Sequence, residues 1–297
     1  MKSSWKKRFI IFVMLLCIWV YIPDGKMEEA KTEEDRLKER PSATRVVYIC
    51  RNTYLYYAQN SPEWENLVID PDPASRRVFG ESACVVTALA NCIVNAVSVW
   101  DLDRILDMTM YPVRIDSHSA VNARGVRARD KFEIRNLSDV VRYYPLIIGN
   151  YAGGNNRSGV RNRKNEDFYK RVLDAYQLEW ERNTEWSEAV QALKDGKLVI
   201  ACSGGRHSVI SSEGHYFLLV AWADGYIYAL DSYLRDRFPL DREQWIEILE
   251  PGLLRFHETD ASRIPVQSRF IVTPSTDRTV YSKALLDDYI ARSNRHE

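Results

Sequence analysis

Residues 84–97 (CVVTALANCIVNAV) are apolar almost all round a helix and contain neither Gly nor Pro. A helix without a polar face has to be enclosed, so this segment predicts a buried central helix around which the rest of the chain must pack. Glu81 and Ser82 stand before it as candidates for its N-terminal turn. With 297 residues, 45% of them apolar, the chain has ample material for such a core.

The neighbouring segments read as short strands and loops. Residues 45–50 (RVVYIC) and 53–57 (TYLYY) are rich in β-branched and aromatic residues and predict strands. Residues 61–80, with three Pro and several Asp, read as irregular loop, and 102–110 as a second helix. The basic, Gly- and Asn-rich stretch 114–164 reads as loop. A helix is expected over 166–180, and another over 185–194, capped by Thr184 and ended by Asp195-Gly196. Strands follow at 197–202, 216–222, 226–230 and 269–273, with Asp224-Gly225 as a hairpin turn. Helices first and an antiparallel sheet second is an α+β pattern.

The N-terminus has a different character. Lys2, Lys6, Lys7 and Arg8 precede the fourteen-residue apolar run 9–22, the pattern of an export signal. The run is shorter than the roughly 17–25 residues of a full membrane span. No small-x-small cleavage site follows it, so the expectation for 1–23 is a signal peptide or signal anchor that places the rest outside the cell or on its surface. Residues 24–43 are almost wholly charged or polar and read as a linker. The folded domain is expected over 44–280, with 281–297 as a C-terminal tail.

Basic and acidic residues balance, 41 against 41, which removes bulk electrostatics as a route to a nucleic-acid partner. No Cys pair has C-x-x-C spacing and no Cys/His cluster has zinc spacing, so neither a metal nor another cofactor is expected. Cys84 and Cys92 are about 12 Å apart along a helix, too far to bond each other. A Cys50–Cys202 bridge is compatible with an oxidising compartment, without sequence deciding it.

Cys84 heads the buried helix, where the dipole and free N–H groups favour a thiolate and can donate to a substrate oxyanion. Cys92 and Cys202 lack such a setting and read as core. His215 opens one strand of the hairpin and Asp231 ends the other, so an antiparallel turn at 224–225 brings them side by side. A carboxylate there fixes the imidazole tautomer and supports its charged form. His118, His207 and His257 have no such partner and read as surface or loop residues.

These segments resemble papain-like peptidases of cysteine-peptidase family thirty-nine, the bacteriocin-processing type. Residues 81–91 (ESACVVTALAN) resemble its nucleophile segment, 214–233 its His segment, and 193–200 the helix-to-strand element before it. The resemblance implies a papain-like fold, with the nucleophile helix on an antiparallel sheet. It also implies a thiol hydrolase acting on peptide or amide bonds, with Cys84, His215 and Asp231 as catalytic residues. Two departures stand out. Val85-Val86 replace the family's Gly-Pro, and residues 76–79 hold no amide where the family often places an oxyanion donor. Gln59 and Asn60 can fill that role only if the intervening loop folds back. The alternative reading is an inactive peptidase-fold protein that binds or scaffolds at the cell surface.

Overall fold

The computed structural model of the chain describes residues 44–66, 78–105, 113–116, 131–151, 165–183, 185–204, 210, 214–235 and 245–295. The expected signal segment 1–23, the whole of the linker 24–43, Thr184, His118 and His207 lie outside them. Among the described residues no helix is long and apolar enough to cross a membrane.

The chain opens with the antiparallel hairpin β1 (Thr44–Ile49) and β2 (Asn52–Tyr57). Two helices follow almost end to end, α1 (Phe79–Ser82) and α2 (Cys84–Ala96). Every residue of α2 after Cys84 is buried, as its apolar circumference requires. The expected helix over 102–110 is not seen in its described part, where a 3-10 turn at Val99–Asp101 runs into further turns.

The stretch expected to be loop holds three elements instead: β3 (Val113–Asp116), β4 (Lys131–Ile134) and α3 (Leu137–Tyr151). Pro145 lies within α3, and Tyr143 leaves helical geometry at φ −108°, ψ 21°. Proline withdraws a backbone donor and crowds the preceding turn, so the helix kinks there while its apolar residues stay buried.

Next come α4 (Asn165–Ala175), β5 (Glu179–Asn183) and α5 (Trp186–Lys194). The helix expected to run to Trp180 thus ends five residues earlier, and Trp180 sits on a strand. Glu185, with no side-chain cap bond, occupies the N-cap of α5.

The rest is sheet: β6 (Leu198–Ser203), β7 (His215–Ala223), β8 (Tyr226–Asp231), β9 (Ile246–Glu250), β10 (Leu253–His257) and β11 (Val266–Thr273). Seven strands pair in the order β5-β11-β6-β7-β8-β10-β9, every neighbour antiparallel. Asp224 and Gly225 both have positive φ in the β7–β8 turn, as a two-residue hairpin requires. The segment expected as a tail ends in a helix, α6 (Lys283–Asn294), with Leu286 and Tyr289 buried. The class is α+β.

Strands β6 and β7 are covered on both faces, and their side chains divide with period two. Leu198, Ile200, Cys202, Tyr216, Leu218 and Val220 join the core that contains α2 and α3. Val199, Ala201, Phe217 and Leu219 join a second core under α5. The hydrophobic helix therefore lies against the middle of the sheet, and its first residue comes to the start of β7.

A helix buried on all sides must also place its polar side chains. Asn91 accepts from the Tyr57 N–H (2.7 Å) and donates to the Tyr57 carbonyl (3.0 Å). Asn95 does the same for Leu55, at 2.8 Å in both directions. Four residues of helix rise about 6 Å and two of strand about 6.6 Å, so the two amides match alternate residues along the edge of β2. Replacing Asn95 by Ala strands both backbone groups of Leu55. An unpaired buried group costs about 1–3 kcal/mol, so N95A is expected to lose about 2–4 kcal/mol in urea denaturation. A loss below about 1 kcal/mol would show that the clamp is dispensable.

Candidate active site

The nucleophile candidate owes its position to a break in the helix. Ala83, between α1 and α2, has φ −92° and ψ 16°, and its N–H closes the last turn of α1 on the Phe79 carbonyl (3.0 Å). The next bond of a continuous helix, from the Cys84 N–H to the Gly80 carbonyl, is not made. The side chain of Gln59 donates to that carbonyl instead, at 2.8 Å. Cys84 is therefore the first residue of α2, half-buried, with its N–H outside the hydrogen-bond ladder of the α1 turn.

Sheet register supplies the partners. Phe217 pairs with Asp231 across β7 and β8, which makes His215 and Asp231 diagonal neighbours on one face. His215 Nε2 meets Asp231 Oδ1 in a short contact, and His215 also hydrogen-bonds the Cys84 thiol. Since Nε2 is engaged by the carboxylate, Nδ1 is the nitrogen left for sulfur. Ser232 joins the two halves: its hydroxyl lies 2.7 Å from the Tyr216 carbonyl and 3.3 Å from the Cys84 carbonyl.

Asp231 is fully buried and held from several directions. Its Oδ1 also accepts from the Tyr233 N–H (3.0 Å), and its Oδ2 forms an ion pair with Arg235 Nε (2.5 Å). Its backbone N–H donates to the Gly252 carbonyl (2.8 Å), and its carbonyl accepts from the Tyr56 hydroxyl (2.7 Å). Gly252 has φ +84°, and a Cβ there would stand 2.2 Å from the Tyr56 oxygen.

Burial would push the Cys84 thiol up. The hydrogen bond and charge of His215, with backbone donors from Tyr216 and Val85, outweigh it and hold the thiol below its ordinary value. Burial would likewise favour neutral His215, but the charge and hydrogen bond of Asp231, with Cys84, raise the imidazole to about 9. Burial works against the Asp231 carboxylate too. His215 and Arg235 overcome it, and the group stays below the ordinary carboxylate range. The arrangement stabilises a thiolate–imidazolium pair. The other cysteines of the core behave oppositely, with burial pushing Cys202 up to about 11 and Cys92 higher still.

The structure thus brings Cys84, His215 and Asp231 together, whereas the two amide candidates have other contacts. Asn60 spends its side chain on the backbone of Leu234, accepting from its N–H (2.8 Å) and donating to its carbonyl (3.2 Å). Gln59 caps Gly80, and its Oε1 is buried without a hydrogen-bond partner. Cys50, exposed in the β1–β2 turn, and Cys202, buried in β6, are both free thiols, so no bridge joins them. His257 bonds Thr259 near the surface. Among the described residues no His, Cys, Asp and Glu cluster could hold a metal.

Searched against protein-family models, curated proteins and solved structures, the chain matches none. Two supporting residues escape a sequence reading: Ser232, visible only as a neighbour of Asp231, and Arg235, one of many arginines until the fold turns it inward.

Gln59 gives a test that separates two parts of the site. In Gln59→Leu the Gly80 carbonyl is free to capture the Cys84 N–H and extend α1 into α2. Acylation of Cys84 by an activated ester, which develops an oxyanion, is expected to slow by about 10²-fold. Alkylation by iodoacetamide, which develops none, is expected to stay within about twofold. Equal losses in both reactions would exclude a role at the oxyanion.

Proposed function

We propose that the protein is a papain-like thiol hydrolase that cleaves peptide or amide bonds. The observation that carries this reading is one chain of contacts: Cys84 at the head of a buried helix, His215 on its sulfur, and Asp231 on the far nitrogen of the imidazole. Support for the papain-like assignment comes from the nucleophile helix lying against an antiparallel sheet whose hairpin carries the base and its carboxylate.

In this reading the Cys84 thiolate attacks the scissile carbonyl carbon, and the oxygen gathers negative charge beside the Cys84 N–H at the head of α2. His215 Nδ1–H then protonates the departing amine as the C–N bond breaks, leaving a thioester on Cys84. Water attacks the thioester, His215 takes its proton, and the thiolate leaves. Asp231 keeps the imidazole oriented and supports its charge throughout without itself taking the proton. The basic and apolar segment 1–23 supports action outside the cell or tethered to its membrane, on a peptide or protein substrate.

A second reading, a binding module that keeps the fold, draws on Asn60 and Gln59, whose side-chain amides are engaged with backbone carbonyls. Labelling the full chain with iodoacetamide across pH 5–9, followed by peptide mass spectrometry, tests the site. Cys84 is expected to label at pH 6–7, ahead of Cys92 and Cys202. In His215→Ala only burial and backbone donors remain, so labelling at pH 6.5 is expected to fall at least about tenfold. Cys84 labelling no faster than Cys202 refutes the hydrolase reading. Rapid labelling without thioester formation from any peptide ester favours the binding module.

Turnover also carries a pH signature. Leaving-group protonation requires charged His215, whose raised value near 9 is lost as pH rises through it. Hydrolysis is therefore expected to follow a bell with its alkaline limb near pH 9, read from the pH dependence of kcat/KM. An alkaline limb near 6.5 would mean that Asp231 does not support the imidazolium.

A further inference from the structure

We propose that Arg235 is a positioning residue of this site, one guanidinium that fixes both the Asp231 carboxylate and the chain leading into His215. The inference rests on the hydrolase reading and adds a residue to it. Asp231 must present Oδ1 to His215, yet rotation about the last side-chain torsion of an aspartate exchanges its two oxygens at little cost. Arg235 Nε lies 2.5 Å from Oδ2 as an ion pair outside hydrogen-bond geometry, and its charge favours the orientation that keeps Oδ2 beside it.

The same guanidinium reaches further. Its Nη1 donates to the carbonyl of Ile210 at 3.0 Å, and Ile210 is buried five residues before His215. One guanidinium therefore hydrogen-bonds the Ile210 carbonyl ahead of β7 and lies in ion-pair contact with the carboxylate ending β8. A lysine has one ammonium point and cannot span both acceptors in this way. The arginine is itself held. The Asn60 amide pins Leu234 next to it from both sides, and the Tyr233 ring lies 5.8 Å from its guanidinium carbon.

Charge adds a second consequence. The groups facing His215 and Asp231 are Cys84 from α2, Tyr216 from β7, Cys202 from β6, Tyr56 from β2, and Tyr233 and Arg235 beyond β8. Arg45 and Glu250, of opposite sign, act on the outer side of Tyr56. Arg235 is thus the one fixed cation in contact with the Asp231 carboxylate besides the imidazolium, among the described residues. Taking it away makes the potential at Cys84 and His215 more negative. Thiolate formation then requires a higher pH.

The test uses the full chain as wild type, Arg235→Met and Arg235→Lys. It reads the pH of half-maximal Cys84 alkylation and the hydrogen exchange of peptides carrying Ile210 and His215. R235M is expected to move the alkylation midpoint up by about 0.5–1 pH unit. R235K keeps the charge and is expected to move it less than half as far. Both variants are expected to speed exchange around Ile210 and His215, because neither keeps the Nη1 donor to the Ile210 carbonyl. A wild-type midpoint in R235M, or wild-type exchange in R235K, overturns the proposal. If R235M does not fold, the exchange of R235K decides. Wild-type Cys84 that fails to label below pH 8 ends the hydrolase reading by itself, and exchange still decides whether Arg235 ties the two segments.

Discussion

A helix enclosed on every side has to carry its own answers to the polar groups around it, and α2 does so with Asn91 and Asn95. One hairpin edge is satisfied by these side chains as another strand would satisfy it. The clamp sets where β2 lies, and β2 in turn delivers Tyr54 to the Val220 carbonyl, Tyr56 to the Asp231 carbonyl and Gln59, just past the strand, to the Gly80 carbonyl. The hairpin therefore links the Asn91 and Asn95 side of α2 with the end of the sheet that bears His215 and Asp231. Without that link, the direct polar ties between the head of α2 and the end of β8 would be few, chiefly the Ser232 hydroxyl on the Cys84 carbonyl and the His215 contact with the thiol.

Charge in the site is organised around one buried carboxylate. A lone buried anion is costly and tends to take up a proton; Asp231 escapes this through two cations and a backbone donor. Each cation answers a different oxygen, so neutralisation and orientation come from the same contacts. The effect passes through His215 to Cys84, the described cysteine whose thiol is lowered. Cys92 and Cys202, buried in the same core without an imidazole, are driven the other way. Burial alone does not separate the lowered thiol from the raised ones here; the neighbour does.

What could be read from sequence follows the range of the interaction. The 84–97 helix and the Asp224-Gly225 hairpin depend on neighbouring residues, and both are present. Pairing His215 with Asp231 needs only the hairpin's symmetry, and the α+β class only the order of elements. The stretch 137–151 reads in sequence as part of a basic, Gly- and Asn-rich loop; Pro145 and the surrounding Gly and Asn mask a helix whose kink is offset by burial against α2 and α6. The helix α6 escaped because its support comes from α3, far along the chain, and the hairpin β9–β10 because β10 is placed by its pairing with β8. Arg235 and the Asn60 clamp are hidden for the same reason, since nothing local marks one arginine as inward-facing. Gln59 was visible as an amide, yet its contact with Gly80 arises only from the way β2 runs past α1.

The turn at Gly252 ties the site to an unexpected place. Its carbonyl receives the Asp231 N–H, and the space where its side chain would be is filled by the Tyr56 hydroxyl that caps the Asp231 carbonyl. Most single-base changes that alter a glycine codon introduce a Cβ, so ordinary mutational drift at this one position presses directly on the carboxylate. A hairpin turn on the far side of β8, of the kind that usually accepts insertions and substitutions freely, is thereby denied that freedom. Libraries that randomise surface turns to improve the protein would find this one closed.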